Sequence, residues 1–319
     1  MKSVAQRARS DAQVRGSALI LIYWIIGLLS LLVFGGAKLL LSEFAMQSVQ
    51  GQRARANQLA EMGLAIAAHP QIERGDPALA RELTRFESFR ASIESENARL
   101  NLNAILQRRD MDVLQRLFEL WGLRPEEANR VIACLVDWVD PDDLVTRDGA
   151  EEQEYRRAGI MGAPPNRRFL SLGEANGVNG MGLLSASRPS WEEFFTLFGD
   201  GKLALDDASA DAIYAVCGCT LDSAQEFVEL RRGRDGLENT EDDEVFQSVD
   251  QVLDLLKVPP PERAIAASRV TLQGNTLRLR SEGRMEDIRV ERWVVVEGRG
   301  PGMRVLAAGS RAYPSVRNE

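Results

Sequence analysis

Residues 14–34 read VRGSALILIYWIIGLLSLLVF, and this segment determines where the rest of the chain lies. The junction between Gly16 and Ser17 separates a short basic stretch from roughly twenty nearly uninterrupted apolar residues. Residues 18–41 are long enough to cross a bilayer as a helix. The charged residues that precede them are mostly basic: Lys2, Arg7, Arg9 and Arg15, against Asp11. Because positive charge is retained in the cytoplasm, the sequence predicts a single-pass protein with its body on the far side of the membrane.

The composition is that of a folded protein with an acidic surface. The chain has 319 residues, of which 45% are hydrophobic and 27% are charged, and its formal net charge is -8. This length is typical of about two domains. Because contact with a phosphate backbone needs clustered Lys and Arg, the acidity argues against a nucleic-acid partner.

Histidine and cysteine are too scarce for most catalytic and zinc sites. The single histidine, His69, precedes a proline and is predicted to lie at a helix end, so we expect no enzyme active site. Cys134 lies among apolar residues at helical spacing, which favours a buried position. Cys217 and Cys219 form a strained disulfide, a redox pair or two separate core positions, and we favour the core positions.

The order of patterns predicts an α+β body interrupted by a helical insertion. A helix is expected over 17–68, and a hairpin that turns near Glu96 and Asn97 follows. The segment 104–263 is mostly helical in pattern, and the alternating tail from 264 onward reads as strands. We therefore predict a leader over 1–16, a body from 69–103 and 264–319, and an all-helical domain over 104–263.

The helical segment contains a weak internal repeat. GLRPEEANRVI (122–132) aligns with GCTLDSAQEFV (218–228), and LSLGEANGVNGM (170–181) has a similar glycine pattern. Helix pairs with glycine at the turn are typical of helix-hairpin-helix or SAM-like bundles. Because the chain is acidic, we favour a module for protein contacts over one for nucleic acid.

Two acid-rich loops are candidate calcium sites, because Ca²⁺ prefers several oxygen ligands on an adaptable loop. The better candidate by sequence consists of Asp235, Asn239, Thr240, Asp242 and Asp243. The second consists of Asp137, Asp140, Asp142, Asp143, Asp148 and Glu151. Neither loop has the spacing of an EF-hand, and solvated surface acids remain the alternative for both.

Several motifs in order resemble the general secretion pathway protein K family, the minor pseudopilins of type II secretion systems. They are RGSALILIY (15–23), RLNLN (99–103), LVDWVDPDDLVTRDGAEEQEY (135–155), APPNRRFLSLGEANGVNGM (163–181), LALDDASADAI (203–213) and GRDGLENTEDDEVFQSV (233–249). The resemblance implies a pilin-like fold in which the long N-terminal helix packs on a small antiparallel sheet. It also implies calcium in the helical domain, which supports the loop that starts at Asp235.

The resemblance further implies how the chain is processed and where it acts. A prepilin peptidase cuts after Gly16 and methylates the new N-terminal Ser17. Leu21 stands where most pilin-like subunits have a glutamate that neutralises the N-terminal ammonium of a neighbour, so we expect a subunit at the tip of a periplasmic pseudopilus, anchored in the bacterial inner membrane. The implied partners are the other minor pseudopilins, the major pseudopilin and the inner-membrane assembly platform. A minor pilin of a type IV pilus and an anchored calcium-binding periplasmic module are the alternatives.

Overall fold

The computed structural model describes residues 3–236 and 242–313. The chain begins with helix α1 (Ser3–Ala67), which has 65 residues and runs through the predicted leader without a break. Among the described residues, no helix combines the length and the apolar character that crossing a bilayer requires. The span predicted over 18–41 therefore stays a prediction.

The rest of the chain divides into strands that form the body and elements that form the insertion. The strands are β1 (Ala80–Glu82), β2 (Glu87–Ser95), β3 (Leu100–Asn101), β4 (Phe195–Thr196), β5 (Leu203–Ala204), β6 (Val270–Thr271), β7 (Thr276–Met285), β8 (Ile288–Glu297) and β9 (Arg304–Tyr313). The helices after α1 are α2 (Leu102–Arg108), α3 (Met111–Leu120), α4 (Pro125–Val139), α5 (Glu152–Arg157), α6 (Met181–Ser187), α7 (Ala210–Cys217), α8 (Leu221–Arg231), α9 (Val249–Leu255) and α10 (Pro260–Arg269).

The body is an antiparallel sheet with strand order β1–β2–β7–β8–β9, and α1 packs on one face of it. This confirms the predicted mixture of helix and antiparallel sheet. Strand β2 pairs with β7 from Glu87 opposite Met285 to Ser95 opposite Leu277, so the insertion leaves and re-enters the sheet between neighbouring strands.

Two glycines allow α1 to lie close to the sheet. A Cβ atom on Gly283 would clash with the backbone of α1 at Ala56 and Ala60, and one on Gly63 would clash with Ser281. Any side chain at these positions would force the helix away from the sheet and open a gap in the core. The two glycines therefore determine how closely α1 packs on the sheet.

The helices of the insertion share one hydrophobic core that is separate from the core beneath α1. Trp138 belongs to this core, where it is stacked on Phe169 and edge-on to Tyr155. Gly122 and Gly218 have φ values of +94° and +67° at the turns between α3 and α4 and between α7 and α8. The two aligned sequence segments thus form two similar helix pairs.

Two predictions about this region are wrong. The insertion is not entirely helical, because β4 pairs in parallel with β3 and β5 pairs in parallel with β6. The segment after Glu96 turns as predicted but does not return along β2 as a hairpin. Leu100 and Leu102 are instead buried in the core of the insertion, and the Asn101 side chain caps α2 by accepting a hydrogen bond from the amide of Ala104 at 3.0 Å.

The buried carboxylate of Glu96 joins the body to the insertion. Arg278 of β7 donates two hydrogen bonds to it, at 2.7 and 2.8 Å, and Arg99 donates a third at 2.9 Å. The hydroxyl of Thr196, in the insertion, donates to the same carboxylate. Glu96 is 0% exposed, so these donors replace water completely.

Replacing Glu96 with glutamine is expected to destabilise the chain by about 2–4 kcal/mol, because the guanidinium of Arg278 then loses its countercharge in a dry site. The free energy of unfolding, measured in urea, tests this. Glu94→Gln is the matched control: its side chain is 35% exposed and its ion pair with Arg99 is 3.1 Å long, so less than about 1 kcal/mol should be lost. Equal losses in the two variants would contradict the assignment.

Candidate metal centre

Asp137 lies at the buried end of α4, where the second acid-rich loop begins. It is fully buried, and both of its carboxylate oxygens accept a hydrogen bond from the amide of Thr146, at 3.2 and 3.1 Å. Gly149 packs directly on this carboxylate and leaves no room for a side chain. The loop therefore folds back over Asp137.

Glu151 closes the same loop and is only 4% exposed. Neither of its carboxylate oxygens has a hydrogen-bond partner among the described residues, and the same is true of Oδ1 of Asp140. Burial, followed by the charge of Asp137 and of the other nearby aspartates, raises the pKa of Glu151 from 4.5 to about 7. Burial also raises the pKa of Asp140, with Asp142 and Asp137 as the next causes.

The other predicted ligands of this loop lie at its exposed rim. Asp142 accepts a hydrogen bond from the amide of Leu144 at 2.9 Å, and Asp143 accepts one from the side-chain amide of Asn166 at 3.1 Å. Asp148 is exposed, with a left-handed φ of 68°. The loop thus separates into buried carboxylates and a solvated rim.

Unpaired buried carboxylates repel one another and favour either protonation or a shared cation. Glu151 and Asp140 have buried oxygens with no donor, which is the environment that a hard cation such as Ca²⁺ would satisfy. In the described parts of the chain, no three Asp, Glu, His or Cys side chains already meet in the arrangement of a metal site. The donor set of this loop fits calcium in its chemistry, and the predicted ligands stay a prediction.

The loop preferred by sequence is more exposed where the structure describes it. The carboxylate of Asp242 accepts hydrogen bonds from the amides of Arg234 and Asp235, at 2.7 and 3.2 Å, which brings Asp235 and Asp242 together. Asp243 lines a neighbouring cleft between this loop and the body. Asn239 and Thr240 lie outside the described residues.

The residues predicted for processing and filament contact lie on α1. Gly16 and Ser17 fall inside this helix, although their side chains are outside the described set, and Leu21 is 62% exposed.

Sequence reasoning missed two polar residues that the structure singles out. Asn166 donates a side-chain hydrogen bond to Asp143 in the exposed rim of the loop. Asp206, beside the cleft, has a buried oxygen without a hydrogen-bond partner among the described residues. Burial, followed by the charge of Asp207, raises the pKa of Asp206 to about 6. The Asp206–Asp207 doublet is the only signal that the sequence offered for the second residue.

Comparison with known proteins finds a matching family model and a similar solved structure. Residues 98–185, which include the loop from Asp137 to Glu151, match the family model described as type II secretion system protein K. The fold is similar to a chain from the crystal structure of the GspK-GspI-GspJ complex of the enterotoxigenic Escherichia coli type 2 secretion system. The TM-score is 0.64 at 15% identity, and the match covers 86% of this chain and 100% of that one. No curated protein matches this chain in sequence.

The fold defines the class first: a helix-backed antiparallel sheet with a largely helical insertion, similar to that of a type II secretion protein. The protein K match over residues 98–185, together with the similar fold, confirms the resemblance seen in the sequence.

The raised pKa of Glu151 predicts a specific dependence of stability on pH. Because the folded state binds the proton more tightly than the unfolded state, this stabilisation is complete below about pH 4.5 and is lost as the pH rises through about 7. In the presence of a chelator, the Tm should therefore fall between about pH 5 and 7 more steeply for the native chain than for Glu151→Gln. The exposed Glu152→Gln is the control and should keep the native slope. Parallel curves for the native chain and Glu151→Gln would refute this assignment.

Proposed function

We propose that this chain is a non-enzymatic minor pseudopilin at the tip of the type II secretion pseudopilus, where it nucleates or caps the filament for export of folded proteins across the outer membrane. The observation that carries the proposal is the large insertion between β2 and β7, whose residues 98–185 match the protein K family. A unit of this size beside the sheet would obstruct another subunit stacked above it.

Leu21 supports the same position in the filament. After cleavage behind Gly16 it becomes the fifth residue, where a glutamate would normally neutralise the ammonium of the subunit above. Leucine offers no such charge, and an unpaired ammonium in an apolar filament core is unfavourable. The N-terminus of this chain can still be neutralised by a subunit below, so a terminal position leaves no charge unpaired.

The partners follow from this placement. The similar E. coli chain comes from a complex of GspK with GspI and GspJ. We infer that this chain assembles with the corresponding minor pseudopilins of its own system, then with the major pseudopilin and the assembly platform. Residues 18–41 would anchor it in the inner membrane, with the leader in the cytoplasm as substrate for a prepilin peptidase and the body in the periplasm.

We also propose that calcium stabilises the insertion. The loop over 137–151 is better supported by the structure than the loop over 235–243, because its carboxylates are buried and lack donors. Asp140 and Glu151, whose buried oxygens have no donor, would bind the ion, and backbone carbonyls, the exposed aspartates or solvent would complete its shell. The cation would offset the repulsion that burial imposes on these groups.

Calcium should therefore raise the Tm of the purified chain, and chelation should lower it, because an ion that binds only the folded state stabilises that state. The calcium-dependent rise should disappear in Glu151→Gln and persist in Asp222→Asn, an exposed acid on α8. Asp242→Asn reports on the other loop. Identical thermal transitions in excess calcium and in chelator would eliminate the proposal.

Mass spectrometry of the chain recovered from assembled pseudopili tests the tip position. The product should begin at N-methylated Ser17 and should be present at about one copy per filament end. Leu21→Glu restores the carboxylate that an upper neighbour needs, so we expect more copies along each filament, whereas Leu21→Ile should leave the number unchanged. A functional product that begins at Met1, or native subunits spread along the filament, would refute the proposal.

A further inference from the structure

One end of the sheet combines exposed apolar side chains with guanidinium groups. We call it the sheet foot, and it consists of the β1–β2 loop with its flanking residues (81–90) and the end of the β7–β8 hairpin (284–289). Phe86 is 44% exposed and Leu83 is 39% exposed, and the guanidinium of Arg85 lies 4.3 Å from the centre of the Phe86 ring. The backbone amide of Glu286 donates to the carbonyl of Phe86 at 2.8 Å, so the two segments form one surface.

The opposed arginines of the foot differ from several other arginines of the sheet. Arg278, Arg280 and Arg304 each pair with a glutamate of the body or of the turn that follows β2. Arg284 and Arg289, in contrast, lie directly opposite each other on neighbouring strands, although like charges in this arrangement repel.

Neither of these two arginines has a carboxylate partner in the described part of the chain: Arg284 donates only to the carbonyl of Glu286, at 3.0 Å. Arg90, exposed on β2, lies opposite Glu282 of β7.

Two of the acids at this end are already engaged. Glu87 forms an ion pair with Arg55 of α1 at 2.7 Å, and Glu286 accepts a hydrogen bond from Gln52 at 2.5 Å. Glu286 keeps its charge because Gln52 is neutral, and Glu82 and Asp287 are exposed. The foot contains five arginines against these three acids, so it keeps an excess of positive charge although the whole chain is acidic. An external anion would relieve the repulsion between the opposed arginines.

The same two contacts fix the height of the foot along α1. It lies beside residues 52–55, and the apolar segment ends at residue 41, so about 16 Å of helix separates them at 1.5 Å per residue. Lipid headgroups occupy roughly 6 Å of that distance on each side of a bilayer. The remaining gap of about 10 Å is close to one Debye length, so the leaflet attracts the guanidinium groups across it. Helix tilts of up to about 40° occur in bilayers, and a tilt of that size towards the sheet lets the arginine side chains reach the headgroups.

We propose that the sheet foot rests on anionic phospholipid headgroups while the subunit is still anchored in the membrane, before it enters a filament. This proposal depends on the membrane anchor proposed above. Arginines at the surface of an anionic leaflet, with Phe86 and Leu83 at the interface, are the composition that such a contact requires.

Hydrogen exchange of the full chain in lipid nanodiscs tests the proposal. Amides of residues 81–90 and 284–289 should exchange at least about 3-fold more slowly in discs that contain phosphatidylglycerol than in phosphatidylcholine discs, because two arginines suffice to hold the foot down most of the time. The difference should vanish in about 0.5 M salt, because salt screens the attraction between the arginines and the lipid surface. It should also vanish in the double variant Arg284→Glu and Arg289→Glu.

The matched control is Arg156→Glu with Arg157→Glu, two exposed arginines on α5 of the insertion, which should exchange like the native chain. Resistance to alkaline extraction reports separately on the anchor. Extraction of the chain at alkaline pH would refute the anchor; stable insertion with equal exchange in both lipids would overturn the foot alone. Protection that arises only when partner pseudopilins are added would assign the surface to an acidic protein and also overturn the proposal.

Discussion

The buried ion pair between Glu96 and Arg278 is the point on which the two halves of the molecule depend. Glu96 follows β2 directly, and Arg278 lies on β7, so their contact joins the chain at the places where the insertion leaves and returns. Asn97 extends the junction, because its side chain accepts from the amide of Thr276 at 3.0 Å and donates to Asp200 at 3.0 Å. Both polar groups are almost fully buried, so their geometry is dictated by protein donors and not by water.

Elements with strong local patterns could be predicted from the sequence. The long helix, the strands of the tail and the glycine turns at Gly122 and Gly218 all follow from periodicity or from conformations that favour glycine. The pairing of β3 with β4 could not, because Leu100 alternates with its neighbours as a strand would, and only the tertiary core decides its partner. The contacts of Glu96 could not be predicted either, because the arginine that pairs with this buried carboxylate is far away in the sequence.

The two acid-rich loops are both dense in carboxylates and differ in how deeply those carboxylates are buried. The loop around Asp242 has more acids in succession, and its described part is exposed and held by backbone amides. The loop that ends at Glu151 has fewer adjacent acids, but α4 and Gly149 enclose them. Burial, which a local pattern does not encode, determines whether a carboxylate is solvated or needs a countercharge.

The pairing of Ser95 with Leu277 has a wider consequence for how this architecture arose. Because the two ends of the insertion are adjacent residues on neighbouring antiparallel strands, a tight turn could join them and leave a complete small sheet. A large insertion can thus enter the body at a single loop without shifting the register of any strand. Growth and shrinkage of the insertion are then uncoupled from α1 and from the sheet on which it packs.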